Sequence, residues 1–483
     1  MTTNDITYSR IPADAAERWV ITRAVVNGDQ AVKKAKVLPF LNPMDQSEAN
    51  KARNLAYVER AVFYNATGRT LDGLLGIAFM KDPALTLPEY LAYLRTNADG
   101  AKNSIYQQSQ GVVANVLQSG RHGLLVDFDA RLNLPVIKSY AAESIINWRY
   151  TDNELVLVVL VESVDVEMPD GYGIETVLQY RELFLRDGQC VCRVWRADNR
   201  GVVTQALTWD VNGVPVEEII MRTQSKPSLD FIPFRFVGSQ NNDATIDNVP
   251  LYALAKLNVA HFRNSADYED SVFYVGQAQP WISGLTEEWV SFLESKKSTM
   301  YVGSRAPFVL PQGGAFGFAQ PAPNTLVKEA MDQKEVQMVA LGARLLDQNA
   351  MAVTATQNEN DKEVSTSVLS MCVANVNEAY QTAIGWCALM LDKALSEDDA
   401  LAAFKINQDY SRIMVDAPAL TAIVSAWQTG VIAKFDVRAY LRGKGIIATE
   451  RTDEAIDDDL AMQPPALGTM GMEGTPQPGG IGA

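Results

Sequence analysis

A regular apolar stripe between residues 363 and 395 constrains the fold of this chain more than any other feature. Six apolar residues recur there at intervals of four: Val364, Val368, Cys372, Val376, Tyr380 and Ile384. Because side chains at that spacing lie on one face of an α-helix, the stripe predicts a helix from Glu363 to Leu395 that is buried along one side. At 1.5 Å of rise per residue the helix would span roughly 50 Å, so we expect it to be a spine on which other elements pack.

A second helix is predicted from Thr325 to Leu346, and a polar segment, Asp347 to Lys362, separates it from the spine. The segment contains no glycine or proline, and its sizeable apolar residues are Met351 and Val353. A stretch of that composition cannot bury enough apolar surface to form a core. We therefore predict an exposed loop between the two helices.

Composition is typical of a globular protein with several domains. The chain has 483 residues, of which 47% are hydrophobic and 21% charged, and a single core stops growing at about 250 to 300 residues. The longest apolar run, Leu155 to Val161, is far below the ~18 residues that a membrane span needs. The first residues lack the basic and apolar regions of a secretory signal. These observations predict a cytoplasmic protein that makes no contact with a membrane.

Charge limits the kind of nucleic-acid contact that the chain could make. The formal net charge is −16, whereas tight binding to nucleic acid depends on Lys and Arg displacing counterions from phosphates. This balance argues against a protein that holds nucleic acid tightly. The same net charge is compatible with weak, passing contact with DNA that moves along the protein.

The pattern changes from helical to β-rich along the N-terminal half. Residues 1–46 are polar and poorly periodic, which predicts an N-terminal arm. The predicted elements that follow are a helix at Glu48–Asn65, a helix capped by Thr67 and ending at Phe79, a helix at Asn103–Gln118 and a strand at Gly123–Phe128. Beyond Trp148, Val- and Leu-rich runs are separated by Asp-Gly or Asn-Gly pairs at 170–171, 187–188 and 212–213. Such pairs accept the positive φ of hairpin turns, so the runs predict an antiparallel meander.

Helical patterns return after Pro250. A helix is predicted to Asp270, followed by a mixed segment, rich in Gly, Pro and aromatic residues, that includes a short helix at Thr286–Lys297. Two short capped helices, Asp416–Thr429 and Asp436–Arg442, are predicted after the spine. Residues 463–483 have no periodic apolar face, which predicts a disordered tail.

Enzymatic motifs are scarce. No GxxxxGK[ST], GxSxG or HExxH pattern occurs, and no GxGxxG follows a strand, so the common ATPase, hydrolase, protease and dinucleotide mechanisms have no basis here. Asp127 and Asp129 leave a strand on the same side and could hold a divalent cation, although Asp is also common at strand ends. His261 is predicted to be a structural, hydrogen-bonded residue rather than a catalytic one.

The cysteines are predicted to be small buried hydrophobes. Four cysteines, Cys190, Cys192, Cys372 and Cys387, are too few for a disulfide framework in a chain of this length. A metal site would need partners that only His122 and His261 could supply. Cys190 and Cys192 share a strand face, which leaves a redox or metal pair as the alternative.

Four stretches, in this order, carry a resemblance to a known family. They are NATGRTLDGLLGIAFMKDP at Asn65–Pro83, GRHGLLVDFD at Gly120–Asp129, LNVAHFRNSADYEDSVF at Leu257–Phe273 and MVALGARLL at Met338–Leu346. Over about residues 50 to 445 the chain resembles the portal proteins of tailed bacteriophages, the head-to-tail connectors. The four stretches are structural rather than catalytic.

The resemblance implies an α+β protomer of the portal type. Its parts would be an N-terminal arm (1–46), the first part of a wing with a helical hairpin and an antiparallel sheet (47–249), a stem helix (250–270), a small α/β clip (271–324), a second stem helix (325–346), a tunnel loop (347–362), the spine helix with the rest of the wing (363–445), and a short C-terminal segment with a disordered tail (446–483). Little chain follows residue 445, so a crown would be small or absent.

By the same resemblance the chain would form a homo-oligomeric ring of about twelve subunits at one capsid vertex of a virion assembled in the host cytoplasm. The ring would conduct double-stranded DNA during genome packaging and ejection. Its other partners would be the terminase large subunit, the major capsid protein and neck or adaptor proteins. No cofactor, metal site or catalytic residue is implied, and terminase would supply the motor.

The resemblance also implies two sets of contact residues. The tunnel-loop residues that would meet DNA are Gln348, Asn349, Met351, Thr354, Thr356, Gln357 and Asn358. The clip candidates for docking terminase are Glu287, Glu288, Lys296, Lys297 and Arg305. We expect the apolar stripes of both stem helices to need neighbouring subunits, because the clip is too small to cover them. The rival hypotheses are a carboxylate-dependent metalloenzyme at Asp127 and Asp129, and a capsid or neck structural protein.

Overall fold

The computed structural model describes most of the chain in two compact units, Met1–Gln408 and Asp409–Ala483. The described residues are 5–167, 171–198, 202–209, 214–225, 227–276, 279–295, 310–319, 325–345, 367–408, 423, 431, 433–443 and 451–462. The predicted tunnel loop and C-terminal tail lie outside them, as does nearly all of the predicted helix 416–429.

Helices alternate with strands along the first unit and supply the regular structure described in the second. Those of the first unit are α1 (Ala13–Val26), α2 (Asp29–Lys34), α3 (Glu48–Arg60), α4 (Ala66–Ala78), α5 (Ile105–Ser119), α6 (Tyr252–Val275), α7 (Glu287–Ser295), α8 (Thr325–Arg344), α9 (Val368–Met390) and α10 (Glu397–Ala403). The second unit contains α11 (Lys434–Gly443) and α12 (Asp453–Met462).

The strands all pair antiparallel. They are β1 (Ala84–Leu85), β2 (Arg121–Asp129), β3 (Leu134–Ala141), β4 (Ile145–Thr151), β5 (Glu154–Glu167), β6 (Ile174–Arg186), β7 (Gln189–Ala197), β8 (Val203–Ala206), β9 (Thr208–Trp209), β10 (Pro215–Val216), β11 (Glu218–Ile220), β12 (Phe234–Gly238), β13 (Gln279–Ser283), β14 (Ala315–Ala319) and β15 (Phe404–Lys405). One sheet has the order β11-β7-β6-β5-β4, with β8 also on β7, and another has the order β12-β2-β3. The remaining described strands form three two-stranded sheets, β1–β15, β9–β10 and β13–β14. The predicted α+β class is confirmed.

The spine helix α9 is shorter than the sequence predicts. It begins at Val368 because the side chain of Ser367 caps it, accepting a hydrogen bond from the Ser370 N–H at 3.1 Å. It ends at Met390, and the chain turns away through Asp392, whose φ is +56°. Its 23 residues span about 35 Å. Four members of the predicted stripe, Cys372, Val376, Tyr380 and Ile384, are fully buried as predicted, whereas Val368 in the first turn is only half-buried.

Polar bonds fix α9 among its neighbours. The amide of Asn377 accepts from the Ile406 N–H at 2.8 Å, directly after β15. The Tyr380 hydroxyl donates to Gln108 on α5 at 3.2 Å, while its ring lies 4.8 Å from that of Phe404. These buried groups would be costly to leave without partners, so they set the position of the helix as well as its stability.

Part of the segment predicted as an N-terminal arm is folded. Trp19 on α1 is buried, and its indole donates to the Ser119 carbonyl at 2.7 Å. Val25 and Val32 are buried in the same core cluster as Phe262 of α6. On α1 the apolar Val20 is exposed while the polar Thr22 is buried, so apolar and polar residues do not separate onto two faces and the periodicity of the sequence is weak.

Local turn and cap chemistry is partly as predicted. Asp187 and Gly188 have φ values of 50° and 72°, which confirms the predicted hairpin turn. The cap of α4 is Asn65, not Thr67, because Asn65 accepts from the Gly68 N–H at 2.9 Å. Thr67 instead donates its hydroxyl to Asn258 at 3.0 Å. The predicted turn at Asn212–Gly213 lies outside the described residues.

In the second unit, ion pairs join the two helices. Asp457 on α12 accepts from both Lys434 and Arg438 on α11 at 2.5 Å, and Arg442 pairs with Asp453.

Candidate functional surface: the paired helices α6 and α8

The inner face of α6 is already covered by its own chain. Leu254, Val259 and Phe262 are buried, and Phe262 makes an edge-to-face contact with Phe63 at 5.4 Å. The core around them includes residues of α1 and α3. The expectation that a neighbouring subunit must cover the apolar stripe of this helix is therefore wrong, because α1 and α3 occupy that face.

Polar side chains lock α6 to the helices before it. Asn258, fully buried, accepts from the Thr67 N–H at 3.1 Å and donates to the Tyr64 carbonyl at 2.8 Å. Asp267 accepts from the Tyr57 hydroxyl at 2.7 Å, and Asp270 pairs with Arg60 at 2.5 Å. Burial, together with the bond to Asp267, raises the pKa of Tyr57 well above its usual value. These bonds make α6 a rigid support.

Helix α8 runs antiparallel to α6. His261 Nε2 lies 3.3 Å from Glu335 Oε1. Farther along, Gly342 packs beside Thr70, one turn from the Thr67 that binds Asn258. Residue 335 of α8 therefore lies beside residue 261 of α6, and residue 342 lies toward residue 258. The two helices run in opposite directions. Burial lowers the pKa of His261, although Glu335 favours its protonated form. The predicted structural role fits this position.

The side of α8 that does not contact α6 is exposed and partly apolar. Leu326, Val336 and Val339 are 73%, 68% and 74% exposed, while Met338 is buried. Around the apolar residues lie exposed charged side chains of both signs: Lys328, Glu329, Asp332, Glu335 and Arg344. Three of the larger apolar side chains of α8 therefore face solvent, and an exposed apolar surface of this kind is typical of an interface.

The segment between α6 and α8 contains a small two-stranded sheet and a short helix. Strand β13 pairs with β14 from Gln279–Ala319 to Ser283–Ala315. The Trp281 ring packs directly on Gly317, where a Cβ would come within 2.7 Å of it. Glu287 and Glu288 begin α7 and are exposed. The other clip candidates, Lys296, Lys297 and Arg305, lie outside the described residues, as do all seven tunnel-loop residues.

Asp127 and Asp129 do not form a joint cation site. Asp127 pairs with Arg181 at 3.0 Å, while Asp129 pairs with Arg131 at 3.0 Å and accepts from the Arg131 N–H at 2.9 Å. Both border a cleft of about 300 Å³. Among the described residues no group of three or more His, Cys, Asp or Glu is placed to hold a metal. Each carboxylate is thus neutralised by a guanidinium, which removes the observation behind the metalloenzyme hypothesis.

A buried ionic cluster around Arg181 was missed from the sequence. Arg181 donates to Glu162 at 2.8 Å, and Glu162 also accepts from the Tyr140 hydroxyl at 2.6 Å and from Gln179 at 2.7 Å. Burial opposes ionisation of Glu162, but Arg181 and these hydrogen bonds hold its pKa below the usual value. The register of the β5–β6 hairpin could have indicated this cluster. Glu162 is paired directly with Gln179, and Arg181 lies two residues farther along β6 on the same face of the sheet. The cluster joins the two main sheets.

The four cysteines are free and buried, as predicted. Burial raises the pKa of Cys192 to about 11 and that of Cys372 to about 12, so neither thiol is a nucleophile at neutral pH. His122 is also buried, which was not predicted, and desolvation lowers its pKa to about 3.

Comparisons with known proteins add the following findings. Residues 250–390 match the model of a domain of unknown function, DUF4055; the match runs from the start of α6 to the end of α9. No curated protein matches. Among the described residues, no helix is both long enough and apolar enough to cross a lipid bilayer.

Among solved structures, chains from gene transfer agent (GTA) particles match this chain. The virion of the native particle gives a TM-score of 0.35 at 13% identity, over 85% of this chain and 93% of the other. The neck of the empty particle, computed with C6 symmetry, gives a TM-score of 0.37 at 14% identity, over 82% of this chain and 90% of the other. The neck of the native particle, computed with C12 symmetry, gives a TM-score of 0.35 at 13% identity, over 78% of this chain and 89% of the other.

Proposed function

We propose that this chain is the subunit of a portal ring, a conduit for double-stranded DNA during genome packaging and ejection. In this proposal α6 and α8 are the stem helices, the segment between them is the clip that docks terminase and neck proteins, and the residues between α8 and α9 form the tunnel loop. The chain itself has no catalytic role.

The exposed face of α8 is the observation that carries the proposal. Its three exposed apolar side chains, Leu326, Val336 and Val339, have no cover within the described residues of the chain. Burying each would contribute roughly 1.5 to 3 kcal/mol. Packing α8 of one subunit beside the stem of the next buries this face, and repetition around an axis closes a ring. Because α6 is anchored to α1 and α3, it provides a fixed wall for that packing.

The charges of the chain suit a conduit. Exposed charges on α8 are of both signs, with three acidic residues (Glu329, Asp332, Glu335) against Lys328 and Arg344. A surface without excess positive charge does not hold phosphates, so DNA beside it can slide. Tight binding would require the cluster of Lys and Arg that this helix lacks.

Electron microscopy and light scattering test the proposal directly. Negative-stain images of the purified protein should show rings with a central channel, and the scattering mass should be near twelve times 53.0 kDa. A monomer over a wide concentration range would refute it.

A pair of matched variants tests the role of α8. Val336→Asp with Val339→Asp should abolish rings while leaving the monomer folded, because two charges are placed in the interface. Ala49→Asp with Ala52→Asp adds the same charge at exposed positions of α3, outside this face, and should leave more assembly. Equal assembly of both variants would contradict the assignment of this face.

A further inference from the structure

The hairpin of β5 and β6 extends beyond the sheet that contains it. Strand β4 pairs with β5 only between Glu154 and Leu160, and β7 pairs with β6 only from Gln179 onward. Residues 163–167 and 174–178 therefore pair with each other alone, among the described residues. We call these ten residues the ribbon. At about 3.3 Å per residue it projects some 17 Å from the sheet.

The ribbon exposes apolar side chains. Ile174 and Leu178 lie on one face and are 71% and 48% exposed, and Val166 on the other face is 37% exposed. An isolated two-stranded ribbon is marginal in water, and its unpaired edges are usually protected by charges or covered by another element. These features indicate a surface that is covered in the assembled protein.

The ribbon is acidic. No Lys or Arg occurs in the sequence between Tyr150 and Tyr180, whereas Asp165, Glu167 and Glu175 belong to the ribbon. Asp165 accepts from the Thr176 hydroxyl at 2.7 Å, and neither Asp165 nor Glu175 has an ion-pair partner among the described residues. This charge excludes DNA as the occupant and favours a basic protein surface with apolar neighbours.

The same chain carries such a surface. Arg263 on α6 donates its Nε–H to the Val37 carbonyl at 3.0 Å, which brings its guanidinium to the segment that contains Lys36. Lys34 and Lys36 are exposed and form no ion pair within the described residues, unlike Lys33, which binds Asp29. Phe40, partly exposed, follows on the same segment. We call Lys34, Lys36, Phe40 and Arg263 the basic patch. It stands out in a chain with 58 acidic and 42 basic residues.

We propose that the ribbon of one copy docks on the basic patch of the next copy. Both surfaces are exposed in the same chain, so the contact forms between copies. It joins two different surfaces, and such a head-to-tail contact closes into a ring when the rotation between copies allows. The inference rests on the proposed function for its partner, a second copy of this chain, and adds an interface separate from the exposed face of α8.

Charge reversal tests the contact. Asp165→Lys with Glu175→Lys, or Lys34→Glu with Lys36→Glu, should each raise the concentration needed for half-maximal assembly by about tenfold or more at moderate salt. A chain with all four substitutions should recover assembly. Glu89→Lys with Glu154→Lys, at exposed positions outside the ribbon, changes the net charge as the ribbon variant does and should have little effect. Thermal unfolding of each variant verifies that it folds.

Cross-linking provides an independent readout. A chain with Asp165→Cys and Lys36→Cys should give ladders of linked copies with a short bismaleimide, and the native cysteines, being buried, give little background. Absence of ladders, or failure of the fourfold variant to recover, would overturn the docking while leaving the ring intact. Loss of rings in the unaltered protein would instead refute the proposed function.

Discussion

Val376 lies in the middle of α9, and its side chain is fully buried against the sheet and helices that pack on the spine. Val376→Asp removes an apolar side chain worth roughly 1.5 to 3 kcal/mol of burial and places there a carboxylate with no cation beside it, which costs several kcal/mol more. The sum approaches the 5 to 15 kcal/mol total stability typical of a domain. We therefore expect the variant to be largely unfolded or insoluble at neutral pH.

The matched control is Ala374→Asp, two residues earlier on the exposed side of the same helix. It adds the same charge without burial and should change the free energy of unfolding by no more than about 0.5 kcal/mol. Urea denaturation followed by circular dichroism measures both, and size-exclusion chromatography reports assembly. If Val376→Asp unfolded at the same urea concentration as the unaltered protein, the assignment of α9 as the buried spine would be wrong.

Three further outcomes are expected. Deleting residues 351–358, within the predicted tunnel loop, should leave rings visible by electron microscopy but impair packaging or genome retention; loss of the rings would contradict the assignment. The purified protein should hydrolyse no ATP, since a phosphate-binding loop is missing; turnover abolished by one substitution in this chain would disprove this. Arg181→Met should destabilise the protein by about 3 to 5 kcal/mol at pH 7, because it leaves Glu162 buried without its cation. The folded-state pKa of Glu162 is lowered, so its stabilising contribution is present above the unfolded value of about 4.3 and lost as pH falls below it. The measured difference between the two proteins should shrink below pH 4; a constant difference would exclude Glu162 as the cause.

Local periodicity and turn chemistry were readable from the sequence. The four-residue spacing of Cys372, Val376, Tyr380 and Ile384 identified the buried face of α9, because helical geometry alone brings those side chains together. Likewise Asp187-Gly188 identified a hairpin, and Gly120, with φ +68°, ended α5 as predicted. These features depend on residues within one or two turns of each other.

Helix ends and long-range partners were decided by tertiary contacts. The sequence placed the start of α9 at Glu363, but Ser367 caps the helix. It predicted a loose arm where Trp19 is buried against the end of α5, 100 residues away. It also assigned the apolar stripe of α6 to a neighbouring subunit, although α1 and α3 of the same chain cover it.

The candidate site shows the same division. The existence of two helices around a small α/β segment follows from local patterns, whereas the exposure of Val336 and Val339 depends on which side of α8 meets α6. Asp127 and Asp129 looked like paired ligands by spacing, yet Arg181, 54 residues from Asp127, neutralises one of them. Spacing along a chain determines which side chains share a face. Only packing determines what that face meets, because the free energy of burial and of charge pairing depends on groups distant in sequence.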